Sequence, residues 1–213
     1  MQAELDVIFA DDALLVLNKP SGLLAVPGKT CDECLSTQVQ QRYPDALVVH
    51  RLDMATSGLM LMARGVAVQR LLNAHFAERR VHKRYVAVVQ GDCRGAAAEE
   101  WQTIDLPILV DWPNRPLRKI DHASGKPSST RWRCLGFEPL RHASRLELEP
   151  LTGRSHQLRV HLQAIGHPML GDALYAPPEV AALAPRLLLH ATELAFPHPV
   201  SGEWASFRCP DDF

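Results

Sequence analysis

The chain has 213 residues, 46% hydrophobic and 22% charged, a balance that builds a sizeable core and excludes wholesale disorder. No apolar run approaches the roughly 20 residues of a membrane-spanning helix. The acidic start MQAELDVIFADD lacks the features of a secretory signal, and five scattered cysteines suit reduced thiols, so a cytoplasmic protein is expected. The net charge of −1 hides an uneven distribution: residues 1–50 hold three Lys/Arg against seven Asp/Glu, and residues 51–90 hold seven against two, so one face of a neutral protein is expected to be basic.

Taken in chain order, residues 7–9 and 14–17 read as strands. Residues 22–30, GLLAVPGKT, approach a phosphate-binding loop but hold one residue too many between the glycines, and Pro27 removes an amide the loop would use. Cys31 and Cys34 form a C-x2-C pair without a second pair to complete a zinc site, and the reading is solvated loop thiols. A strand at 59–62 precedes a helix over 66–80 with Leu71, Leu72 and Phe76 on one side and Arg70, Arg79 and Arg80 away from them. A strand follows at 85–89. Residues 95–100 and the Pro-rich stretch 105–116 read as surface connections, the latter holding Trp112, Asn114 and Arg115, an aromatic plane and a cation of the kinds that meet bases and phosphates. Strands at 131–135, 145–149 and 187–190 flank a helix over 156–165, with Ser155 as N-cap and Gly166 and Pro168 as its stop. Strands outnumber helices without strict alternation, which argues for one α+β domain over 1–213 with a mixed or antiparallel sheet.

Two stretches carry candidate chemistry. In residues 48–65, VVHRLDMATSGLMLMARG, an apolar strand leads into His50, Arg51 and Asp53. An aspartate at a strand end is commonly a turn residue; one beside Arg51, at the start of the basic segment, is kept ionised, as a nucleophile or base facing developing positive charge requires. In residues 151–172 a Gly153-Arg154 turn leads into a helix whose first turns carry Ser155, His156, Gln157, Arg159 and His161, so donors and positive charge are expected at a helix N-terminus. An ordinary amphipathic helix with solvated basic residues is the competing reading.

Together with NKPSGLLAVPG (18–28), HKRYVAVVQG (82–91), GHPMLGD (166–172) and PRLLLHA (185–191), these stretches make six ordered blocks, and the sequence resembles the RluA family of RNA pseudouridine synthases. The resemblance implies an α+β catalytic fold, a mixed, mostly antiparallel sheet divided by a basic catalytic cleft, and isomerisation of uridine without metal or cofactor. By the same resemblance Asp53 is the catalytic aspartate, attacking the sugar or removing a ribose proton. Tyr85 stacks on the target base and Arg154 pairs with the carboxylate, while Arg51 enters the RNA where the uridine leaves. His50, Arg79, Arg80, Lys83, Arg84, Trp112, Arg115 and Arg159 complete the expected RNA-binding set. DWPNRP at 111–116 and the short chain point to the members acting on both the tRNA anticodon stem-loop and a 23S rRNA hairpin loop. With the first block at Asn18, no additional N-terminal RNA-binding domain is expected, and a monomer is. The rival readings are a synthase for a different single site, an RNA-binding protein with a vestigial Asp53 site, and a hydrolase acting on a small metabolite.

Overall fold

The computed structural model describes residues 5–28, 33–97 and 100–213. In chain order the strands and helices are β1 (Val7–Ala10), β2 (Leu14–Lys19), α1 (Leu35–Arg42), β3 (Ala46–Val48), β4 (Ser57–Arg64), α2 (Val66–Ala77), β5 (His82–Gln90), α3 (Arg94–Ala97), β6 (Gln102–Asp105), β7 (Ile108–Val110), β8 (Arg118–Ile120), β9 (Ser129–Glu138), β10 (Ala143–Pro150), α4 (Gln157–Ala164), α5 (Pro178–Ala181), β11 (Leu189–Pro197) and β12 (Trp204–Arg208). Contacts divide the chain into two compact units, one of residues 1–83 and 190–212, the other of residues 84–189 with Phe213.

In the first unit, β2 is an apolar run buried on both faces, with Leu14, Leu15, Val16 and Leu17 all at 0% exposure, so it takes an inner position antiparallel to β1 on one side and β4 on the other. Asp11 starts it: its Oδ1 accepts from the backbone N–H groups of Ala13 and Leu14, at 2.8 and 2.7 Å. β4 also pairs with β3, and β12 pairs antiparallel with β11. The β4–β11 pairing is parallel, with Gly58 opposite Ala191. Only glycine fits there, because its φ is +106° and a Cβ would collide with the Ala191 carbonyl. α2 packs on β3 and β4.

In the second unit, β5, β10, β9 and β6 are joined in that order by antiparallel ladders, with α4 packed on β9 and β10. Val88, Ala143, Leu170, Val180 and Leu188 form an apolar cluster there. β7, inside the 105–116 stretch expected to be only a connection, and β8, just beyond it, make a separate hairpin.

Several boundaries move. α2 stops at Ala77 rather than residue 80: Arg79 N–H donates to the Phe76 carbonyl and Arg80 N–H to the His75 carbonyl, while Arg79 turns left-handed at φ 59°. That is a Schellman closure, usually built on glycine. α4 starts at Gln157, and its cap is His156, also left-handed at φ 57°, rather than Ser155. The solvated-thiol reading fails for Cys34, which is buried at the N-terminus of α1, with its N–H donating to Thr37 Oγ1. Burial pushes its thiol pKa up, but hydrogen bonds from Ser36 and Thr37 outweigh that and leave it below the ordinary value. Cys31, Lys29 and Thr30 lie outside the described residues.

Candidate active site

Asp53 sits half-buried in the turn that feeds β4, and that turn is fastened from outside. Thr56 N–H donates to the Asp53 carbonyl at 3.1 Å. The next two carbonyls are taken by the end of β2 and the segment after it: Lys19 Nζ at 3.0 Å and Gly22 N–H at 2.9 Å reach Met54 O, and Ser21 Oγ donates to Ala55 O at 2.7 Å. The strand beyond the turn is fixed on both flanks. Leu61 N–H donates to His50 Nε2 at 2.9 Å, and Ser57 Oγ hydrogen-bonds Nδ1 of the buried His190 at 2.8 Å. These contacts fix the backbone that carries the Asp53 carboxylate, as a group that is to be held within a fraction of an ångström requires.

Lys19 has no exposed surface, yet its ammonium is satisfied, because Nζ donates to the carbonyls of Pro20, Leu23 and Met54 at 2.8, 2.7 and 3.0 Å. Three donors meet three neutral acceptors. Burial lowers its pKa to about 8, and the Asp53 charge pulls it back up. At pH 7 the cation still predominates about tenfold, a positive charge in the surroundings of Asp53. Its role is absent from the motif reading, although the NKPSG block contains it.

The first unit also sorts the expected RNA-binding residues. Arg51, Arg79 and Arg80 are exposed. His50 is not a cation: burial first, then the Lys83 charge, drive its pKa to about 3, and its Nε2 lone pair is spent on Leu61. Lys83 is half-buried, its Nζ 6.0 Å from the Phe76 ring centroid and Phe76 4.9 Å from the His50 ring, and burial lowers its pKa.

The second unit carries Tyr85 and Arg154. Tyr85 is buried on β5, opposite Leu148 of β10. Arg154 is exposed on the turn before α4, and that turn is held by Gln157, whose Oε1 accepts from Arg154 N–H at 3.0 Å and from Thr152 Oγ1 at 2.7 Å, while its Nε2 donates to Ser129 O and Thr130 Oγ1. Gln157 thus positions Arg154, as Lys19 and Ser21 position Asp53. The expected cluster of positive charge at this helix start is not formed. Arg159 is only 4% exposed and makes a bidentate pair with Asp172, Nε to Oδ2 at 2.9 Å and Nη2 to Oδ1 at 2.6 Å, so it is removed from the RNA-binding set. His161 is fully buried between Thr130 Oγ1 and the Leu106 carbonyl. Arg84 is half-buried and paired with Glu147 at 3.1 Å, its guanidinium 4.8 Å from the Trp101 ring. Trp112, 63% exposed, and Arg115 stand at the tip of the β7–β8 hairpin with the guanidinium stacked 4.0 Å over the indole. Among the described residues no three His, Cys, Asp or Glu side chains converge to hold a metal ion, and no helix is long and apolar enough to cross a membrane.

Comparison with known proteins identifies the family. The family model for RNA pseudouridylate synthase matches residues 13–164. The dual-specificity RNA pseudouridine synthase RluA of Escherichia coli K12 is 46% identical over 209 residues, which are 97% of this chain and 93% of that protein. RluA of Pasteurella multocida is 46% identical over 212 residues, 98% of this chain and 94% of the relative. The solved structure of human RNA pseudouridylate synthase domain containing 1 aligns with a TM-score of 0.82 at 32% identity, covering 99% of this chain and 84% of that one. Asp53, Tyr85 and Arg154 all fall inside the span the family model matches, and the chain belongs to the RNA pseudouridylate synthase family.

Proposed function

We propose that this chain is a site-specific RNA pseudouridine synthase acting on uridines of the tRNA anticodon stem-loop and of a 23S rRNA hairpin loop, in the cytoplasm, as a monomer and without metal or cofactor. The observation that carries the reading is the Asp53 turn, a half-buried carboxylate whose backbone is fastened by Lys19, Ser21 and Gly22 and whose surroundings include the Lys19 charge. The description of the relatives as dual-specificity synthases supports two RNA substrates.

In the reaction, the bond between uracil N1 and the ribose breaks, the uracil turns, and C5 joins the ribose while the C5 proton leaves. The ionised Asp53 either attacks the sugar or takes a ribose proton, and both roles need the charge. Tyr85 offers a ring against which the detached uracil is kept. Arg154 partners the carboxylate chemistry. Turning the uridine out of a folded loop costs a few kcal/mol, offset by phosphate contacts and an inserted side chain. Arg51 is the inserted group, with Arg79, Arg80, Trp112 and Arg115 as the outer contacts.

The reading is tested by tritium release from RNA labelled at uracil C5, with tRNA anticodon stem-loop and 23S rRNA transcripts assayed separately. Release from both is expected. Release from one alone removes the dual specificity, and tight, salt-dependent binding without release from either removes the synthase.

A further inference from the structure

The outward face of β12 has the make-up of a nucleic-acid contact, and no role assigned so far uses it. The strand alternates: Trp204, Ser206 and Arg208 are exposed, while Ala205 and Phe207 are partly covered. Phe207 turns inward, its ring 5.1 Å from Phe9 and 5.9 Å from Phe196, and this fixes which way the other three point. Trp204 is therefore held out, 56% exposed, where burying an indole would be favourable. One neighbour is fixed: the His82 imidazole meets the indole at 5.3 Å with the planes at 73°, a T-shaped contact that orients the ring. His82 is itself exposed and follows closely on Arg79 and Arg80, both exposed. At the far end of the strand, about 13 Å away at ~3.3 Å per residue, Arg208 projects with its side chain 80% exposed and steadied by Glu193 at 3.4 Å.

We propose that Trp204, oriented by His82, is a stacking platform for an unpaired nucleobase of the RNA substrate other than the reacting uridine, with Arg79, Arg80 and Arg208 meeting the adjoining phosphates. The inference rests on the synthase reading above and deepens it. An aromatic plane flanked by cations is how proteins hold single-stranded nucleotides, because every base has a face to stack and every linkage carries a charge. The flanking cations favour RNA over a second protein as the occupant.

The test uses the full chain, with Trp204→Ala, Trp204→Phe and Arg208→Ala beside the parent, on tRNA and 23S rRNA stem-loop transcripts. Kd is measured by filter binding over a range of salt, KM and kcat by tritium release, and folding by the thermal midpoint. Trp204→Ala is expected to raise Kd and KM roughly 5- to 150-fold, the range set by base–aromatic stacking, with kcat changing far less. Trp204→Phe recovers most of the affinity, and parent indole fluorescence is quenched by RNA more strongly than that of Trp204→Phe. The salt slope is unchanged in Trp204→Ala and shallower in Arg208→Ala, because stacking releases no counterions. A folded Trp204→Ala chain that binds within about twofold of the parent overturns the platform and leaves the synthase standing. A parent dimer that Trp204→Ala dissociates, with Kd unchanged, assigns the indole to a second copy and also overturns it. If the parent binds RNA without turnover, the synthase reading falls and the Kd values alone decide the platform.

Discussion

Among the described residues Lys19 of the first unit and Arg159 of the second are buried cations, and the two are satisfied in opposite ways. In the second unit Arg159 is locked in a bidentate pair with Asp172, whose Oδ1 also accepts from the N–H groups of Leu174 and Tyr175. That charge is consumed where it stands. In the first unit Lys19 gives all three of its N–H bonds to neutral carbonyls. Its charge is hydrogen-bonded without being neutralised, and Asp53 is the carboxylate that feels it. A buried ion pair is a structural fixture, and removing one partner strands the other. A buried cation held by carbonyls costs burial energy but keeps its field for a neighbour.

The contrast can be broken most heavily at Arg159. Arg159→Ala leaves Asp172 buried without its cation and is expected to cost about 3–5 kcal/mol of unfolding free energy in urea titration, with RNA affinity of the remaining folded protein unchanged. Lys19→Met should cost less stability and more chemistry: kcat at pH 7 falls roughly tenfold, the equivalent of about 1.4 kcal/mol, because the buried positive charge is lost. Because Lys19 gives up its proton near pH 8, kcat of the parent should fall as pH rises through that value. The pH profile of Lys19→Met should lack that limb, and a limb that persists there assigns it to another group.

His50 supplies a smaller effect of known sign. Its pKa is about 3 in the folded protein against the ordinary 6.5, so between those values the unfolded chain binds a proton the folded chain refuses. Stability therefore rises with pH across that window and is lost on acidification. His50→Gln keeps an acceptor for Leu61 N–H without a titrating group, and unfolding free energy measured against pH should show a shallower acid loss. The smallest effect is at Arg79, whose left-handed backbone favours glycine. Arg79→Gly should stabilise by about 1 kcal/mol and reduce the salt slope of RNA binding by a little under one. A gain in stability without a change in slope removes Arg79 from the RNA contacts.

The long apolar runs were legible because their burial is written in the residues themselves: β2 and β4 extend the strands expected at 14–17 and 59–62, and β9 and β10 those at 131–135 and 145–149. α1 was missed because LSTQVQQR has few apolar residues to mark a face, and β12 because WASFR is short with its polar half outward. Site residues divide the same way. Asp53 could be singled out from its setting, whereas Arg159 could be placed only by seeing Asp172, thirteen residues on. Lys19 lies just past the strand expected at 14–17, and nothing local announces that three carbonyls close around it. Patterns of residue type reveal what must be buried, and the partners that decide whether a charge is spent or kept come from the fold.

The central claim is that Asp53 performs the chemistry, and single-turnover tritium release from C5-labelled tRNA and 23S rRNA stem-loops, comparing the parent with Asp53→Asn, tests it most directly. The amide keeps the shape of the side chain without its charge or basicity, so the account predicts release by the parent, none by Asp53→Asn, and RNA affinity largely retained in both. Measurable release by Asp53→Asn would contradict it.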